Sequence, residues 1–139
     1  MASYEKINDF VQDLGEEVHD LASDQLKVAL TNTAVVATNG QLSDLTNVIA
    51  NTNLGGAGAF EITTTSFTNT TGTSKLILAD LVLTATGAAG PFRYIAIYND
   101  DAANDELIGW YDYGSSISMV SGDVFTCDFD ASGGVLTLA

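Results

Sequence analysis

The chain predicts an all-β fold: a single antiparallel β-sandwich or jelly-roll-like domain with a short N-terminal helix and a long arm-like loop. Three observations predict it. Val, Ile, Thr and aromatic residues recur throughout, with a single proline, a composition that suits pleated strands. Seven or eight short apolar runs are separated by glycine, asparagine or acidic turns, the spacing of a sandwich or jelly roll. No motif recurs at a fixed period, which argues against propellers and solenoids. At 139 residues and 46% hydrophobic, the chain reads as one domain over 1–139 that buries about 68% of its unfolded surface.

The elements follow in order. Tyr4, Ile7, Phe10, Val11 and Leu14 recur at three- and four-residue spacing, which predicts a helix over Ser3–Leu14, capped by Ser3 and stopped by Gly15. A further turn through Val18 and Leu21 extends the helical segment over 1–22. So short a helix is unstable alone, so its apolar stripe docks either in the domain's own core or on a neighbouring subunit. Gln25–Thr31 alternates Leu26, Val28 and Leu30 with polar or small residues and predicts the first strand. The Asn-, Thr-, Ala- and Gly-rich stretch 32–59 is long for a connection. It predicts an extended arm or loop lying across a surface, with a turn at Asn39-Gly40, one helical turn within Ser43–Ile49 and a break at Gly55–Gly58. Strands are predicted at Phe60–Phe67, Lys75–Thr86, Phe92–Tyr98, Leu107–Tyr113, Asp123–Asp130 and Val135–Leu138.

Charge narrows the partners. Four basic residues stand against eighteen acidic ones, for a net charge of −14. Nucleic-acid binding depends on Lys and Arg displacing counterions, and anionic membranes attract the same residues. The composition therefore speaks against both partners. A lone cysteine, Cys127, rules out an intramolecular disulfide and fits a reducing compartment. The stretch MASYEKINDF lacks the apolar run of a secretory signal or membrane span.

No catalytic constellation emerges. His19 is the only histidine and lies in the acidic context Glu16-Glu17-Val18-His19-Asp20, where an imidazole is expected to be solvated or stabilised by the helix end. One His and one Cys cannot complete a structural zinc site, and GGAG at Gly55–Gly58 lacks the lysine of a phosphate loop. The acidic run Asn99–Glu106 holds four carboxylates but not the alternation and central glycine of an EF-hand; it reads as a solvated hairpin loop. In FTCDFD, period-two alternation turns Thr126, Asp128 and Asp130 outward and Phe125, Cys127 and Phe129 inward. Two carboxylates perform acid–base chemistry only in a shaped, partly apolar cleft. Trp110-Tyr111-Asp112-Tyr113 is the densest aromatic cluster. Alternation sets Trp110 and Asp112 on one face, available to a sugar, and Tyr111 and Tyr113 on the other, with at least one set expected in the core. Neither a metal nor a cofactor is implied.

Several motifs together resemble a family of small virion proteins of tailed bacteriophages. They are Leu26-Lys27-Val28-Ala29-Leu30-Thr31-Asn32-Thr33, Gly90-Pro91-Phe92-Arg93-Tyr94, Tyr98-Asn99-Asp100, and Leu107-Ile108-Gly109-Trp110 with Asp112-Tyr113-Gly114-Ser115-Ser116-Ile117. Gly122-Asp123, Phe125-Thr126, Asp128-Phe129-Asp130 and the closing Leu136-Thr137-Leu138-Ala139 complete the likeness. It covers most of the chain, with 32–59 least typical. The resemblance implies a non-enzymatic structural protein of the virion, a head decoration (cement) protein on the capsid exterior, assembled in the host cytoplasm. Its implied partner is the major capsid protein, bound by a homotrimer. The stripe Tyr4, Ile7, Phe10, Val11 and Leu14 would supply the capsid or subunit contact. The alternative is a tail-tip or fibre domain binding a host glycan through Trp110 and Asp112.

Overall fold

The computed structural model of the protein describes residues 2–139. The protein is all-β, with antiparallel pairing throughout and one short helix. In chain order the elements are β1 (Tyr4–Lys6), α1 (Phe10–Gly15), β2 (Leu26–Thr31), β3 (Glu61–Ile62), β4 (Thr64–Thr70) and β5 (Thr73–Leu78). Then come β6 (Leu81–Thr84), β7 (Ala89–Asn99), β8 (Leu107–Met119), β9 (Val124–Cys127) and β10 (Leu136–Leu138). They form a five-stranded sheet in the order β1-β8-β7-β2-β3, a three-stranded sheet β10-β5-β4 and a two-stranded sheet β6-β9.

All three sheets feed one hydrophobic core. β7 is central in the largest sheet, and β2 pairs with it along β2's whole length, Val28 opposite Ile97 and Leu30 opposite Ile95. These four side chains share one face and are buried. The other face carries the paired alanines Ala29 and Ala96, also buried. Leu76 and Leu78 of β5, Leu83 of β6, Cys127 of β9 and Leu136 of β10 bring the two smaller sheets onto the same core. Phe92 packs edge-on against Phe125 at 5.2 Å.

The N-terminal segment corrects the helical reading. Tyr4–Lys6 is a strand, and the helix covers only Phe10–Gly15. Ser3 therefore caps nothing; Asp9 occupies the cap position, without a side-chain bond. Tertiary pairing overrides the local period here: β8 offers its outer edge at Gly109–Tyr111, and Tyr4 lies opposite Tyr111. The Tyr4 hydroxyl donates to the Ile108 carbonyl at 3.1 Å. Gly15 does end the helix.

The stretch 32–59 is folded onto the body rather than reaching away from it. Val35 and Leu54 are buried. Val48 bridges Thr31 and Gln41 bridges Glu106, while the Thr31 hydroxyl donates to the Thr46 carbonyl at 2.6 Å. Single 3-10 turns at Leu42–Asp44 and Thr52–Leu54 replace the expected helical turn. Further boundaries move: the strand expected over Phe60–Phe67 breaks at Thr63 into β3 and β4, in different sheets, and that expected over Asp123–Asp130 ends at Cys127. The long strand expected over Lys75–Thr86 breaks at Ala79-Asp80 into β5 and β6, which lie in different sheets. β8 runs six residues beyond the expected end at Tyr113, to Met119. Among the described residues no helix is long and apolar enough to cross a membrane.

Candidate functional site

The most distinctive surface lies where β9 meets β8. Alternation along β9 and the residues after it sends Phe125, Cys127 and Phe129 inward and leaves Thr126, Asp128 and Asp130 exposed. The inward row does not close against β8. A cleft of about 390 Å³ remains between them, walled by Tyr4, Tyr111, Tyr113, Phe125 and Phe129, with Asp128 at its rim. The aromatic rings form a connected set: Tyr4 to Tyr111 at 5.8 Å, Tyr111 to Phe129 at 6.3 Å and Tyr113 to Phe125 at 5.6 Å. The crossing of Phe129 is fixed by its amide, which donates to Asp80 Oδ1 at 3.0 Å.

Burial and hydrogen bonding shift the titratable groups around the cleft. Burial pushes the Tyr111 hydroxyl up to about 12, and burial raises Tyr4 further still. The Cys127 thiol is raised to about 12, first by burial and then by the charge of Asp80, so it offers no thiolate nucleophile at neutral pH. Asp130 Oδ1 accepts from the Gly133 amide at 2.7 Å, the Ser132 amide at 2.9 Å and the Ser132 hydroxyl at 3.1 Å. These bonds hold its carboxyl below the usual range, the wrong direction for a general acid. Among the described residues no lysine or arginine lines the cleft.

Beside the cleft, the two-stranded sheet turns an apolar face to solvent. Val82 lies opposite Thr126, and Thr84 opposite Val124, so these four β-branched side chains share one surface. Val82 is 59% exposed and Val124 60%, while Val120 just before β9 is 62% exposed and Tyr113 52%. Among the described residues these are four of the seven strongly exposed large apolar side chains: Val82 and Val124 share the outer face of β6-β9, Val120 stands in the turn before β9, and Tyr113 lies on the other side, against Phe125 in the cleft. Isolated exposed apolar residues are ordinary; a contiguous set marks an interaction surface.

The residues singled out from sequence are distributed differently. Ile7 and Phe10 are in the domain's own core, and Tyr4 and Leu14 pack against it half-buried; only Val11, 52% exposed, offers surface. The spacing of the stripe thus reflects burial within this chain, and little of it is left for a capsid or subunit contact. Trp110 and Asp112 share a face, as alternation requires, and both are half-buried. The Asp112 carboxylate is held by Arg93 in a two-point ion pair, Nε to Oδ1 at 2.7 Å and Nη2 to Oδ2 at 2.9 Å. Arg93 thereby lowers the Asp112 pKa and occupies the atoms a sugar would need. Neither aromatic set is fully buried: Tyr111 lines the cleft and Tyr113 is exposed.

His19 corrects the solvated reading. It is 5% exposed, stacked on Phe10 at 5.6 Å, and burial lowers its pKa. The acidic loop is tied inward: Asp100 pairs with Lys27 at 2.9 Å and Asp101 accepts from the Gln25 amide at 2.7 Å. Among the described residues no group of three His, Cys, Asp or Glu is placed to hold a metal ion.

Sequence reading missed Val82, Val120 and Val124. The available signal was LVLT at Leu81–Thr84, apolar on both faces; in a two-stranded sheet only one of those faces finds a core. Comparison with protein-family models, curated proteins and solved structures finds no match to this chain.

Proposed function

We propose that the protein is a non-enzymatic structural component of a bacteriophage virion, a head decoration protein that binds the major capsid protein on the outside of the shell. The observation that carries this reading is the exposed outer face of β6-β9, where Val82 and Val124 stand in solvent, on a rigid β body with a net charge of −14. The sequence motifs shared with small virion proteins supply the viral context. The surface is a preformed contact on a sheet, which loses little conformational entropy on docking. The acidic remainder keeps the particle soluble and stays clear of packaged nucleic acid. The contact lies on the β6-β9 face and not on the N-terminal stripe, because Ile7 and Phe10 are committed to the core.

The test is to mix the protein with purified expanded capsid shells that lack it and to count bound copies by sedimentation. Saturation at a fixed number set by shell symmetry supports the reading; no binding removes it.

A second reading has its own observation. The aromatic cleft with a carboxylate at its rim is chemically suited to stack on and hydrogen-bond a sugar ring. This reading, a host-glycan-binding tail or fibre domain, moves from Trp110 and Asp112 to Tyr113, Phe125 and Asp128. It predicts that Tyr113→Ala abolishes glycan or cell binding.

A further inference from the structure

β4 forms one edge of the β10-β5-β4 sheet and differs from the other outer strands. β1 has three residues, two of them the charged Glu5 and Lys6; β3 has two residues, one of them Glu61; β10 has three; β6 and β9 have four each, bounded by Asp80 and by Asp123 and Asp128. β4 runs for seven residues, and the sequence from Ile62 to Ser74 holds neither a charge nor a proline. Proteins ordinarily guard a long edge with charge, proline or a covering segment, because its main-chain groups template pairing with another strand.

The hairpin shows which groups are free. Thr71 and Gly72 have φ values of 49° and 88°, the two-residue turn that makes Thr70 and Thr73 the first hydrogen-bonded pair. Alternation then gives the main-chain groups of Thr68 and Ser66 to β5 and turns those of Asn69 and Phe67 outward. Among the described residues no loop takes up this outward row.

We propose that β4 pairs antiparallel with β4 of a second copy across a two-fold axis at Phe67, joining two three-stranded sheets into one of six strands. The strand is self-complementary in this register. Phe67 faces the second copy's Phe67 and Ser66 faces Thr68 on both sides of the axis, and the bulge between Thr64 and Ser66 ends the regular run there. A slip of two residues opposes Phe67 to Thr65 or Asn69 and loses the aromatic pair. Electrostatics favours the same edge. Each copy carries −14, so most approaches of two copies are repulsive, and β4 brings together the uncharged run. Phe67 pairs with Leu76 and packs half-buried against the core. Ser66 and Thr68 lie on the opposite face, where they can be changed without disturbing it. The assembly is a two-fold pair, in place of the trimer that the resemblance implies.

Sedimentation equilibrium of the full chain tests this directly. Twice the chain mass is expected, and a mass of one chain or of three overturns the proposal whatever the variants do. A Ser66→Asp, Thr68→Asp variant sets carboxylates directly opposite one another and should sediment as one chain with an unchanged circular dichroism spectrum. A Ser66→Lys, Thr68→Lys variant should do the same. An equimolar mixture of the two should restore the two-chain species, because each Asp then faces a Lys. Charged variants that pair as the parent does, or a mixture that stays monomeric, overturn the β4 register. If the charged variants fail to fold, a Ser66→Cys, Thr68→Cys variant replaces them. An intermolecular disulfide under mild oxidation supports the pairing, and its absence overturns it. None of these outcomes depends on shell binding.

Discussion

The side-chain amide of Asn99 lies 3.1 Å from His19 Nδ1 and holds the segment after α1 against the end of β7. The two protons of that nitrogen are shared among three acceptors, since Asp24 Oδ2 lies 2.6 Å away and the Val18 carbonyl 3.3 Å away. Because a carboxamide nitrogen is a donor, Nδ1 is assigned as the acceptor, which leaves the ring proton on Nε2. Nε2 is buried without a partner. A chain segment 80 residues distant in sequence is thus fastened through a neutral imidazole.

That neutrality makes stability depend on pH. Burial lowers the His19 pKa below 6.5, against the opposing pull of Glu106 and Asp24. The folded state therefore refuses a proton that the unfolded chain accepts. The contribution is full above 6.5 and is lost as pH falls from there through the folded value. Thermal midpoints should drop between about pH 7 and pH 5, and His19→Gln should flatten the His-dependent part of that slope. Parallel melting curves for parent and variant across this range would contradict the assignment.

Gly109→Ala should loosen the N-terminus. A β-carbon there would sit 2.5 Å from the Glu5 carbonyl and closer still to the Tyr4 ring. Overpacking of this kind costs about 1–3 kcal/mol. Chemical denaturation should report that loss, and amide exchange should speed up first in β1. Unchanged protection of Tyr4–Lys6 would show that the ring moves aside freely.

Cys127 should label only on unfolding. It is 7% exposed and its thiol is raised to about 12, so both access and thiolate are lacking at neutral pH. An aromatic disulfide reagent should leave the native protein untouched and react stoichiometrically in denaturant. Cys127→Ser should lose about 1–3 kcal/mol, because a hydroxyl is buried there without an assured partner.

Val82→Asp with Val124→Asp should remove shell binding while leaving the melting temperature nearly unchanged, since both side chains are already in water. Trp110→Ala should leave shell binding intact. Shell pull-down with the two variants side by side reads the contrast, and retained binding by the valine variant would move the contact off the β6-β9 face.

The fold class was legible because it rests on composition and turn spacing, and the alternation of Phe125, Cys127 and Phe129 was legible because a strand's faces depend on nothing beyond itself. Tyr4 and His19 were not legible for the opposite reason. Tyr4 has a helical partner pattern in sequence, yet its conformation is decided by the free edge of Gly109–Tyr111. His19 sits among acids along the chain, but Phe10 and Asn99 enclose it in space. The valine surface escaped because β-branched residues read as core until the sheet that holds them is known to have only two strands. The cleft could not be read at all, since its walls come from β1, β8 and β9 together.

The register of the largest sheet also sets a timetable. β2 waits for Tyr94–Asn99 and β1 for Gly109–Tyr111, so the first is seated only when about seven-tenths of the chain has been made and the second at about four-fifths. At roughly 5–20 residues per second, the early segments spend several seconds outside the ribosome without their partners. Pairings this distant also form slowly once available. The emergence of Tyr111 is thus the step that lets the N-terminus take its place, with the strands of the closing quarter still to come.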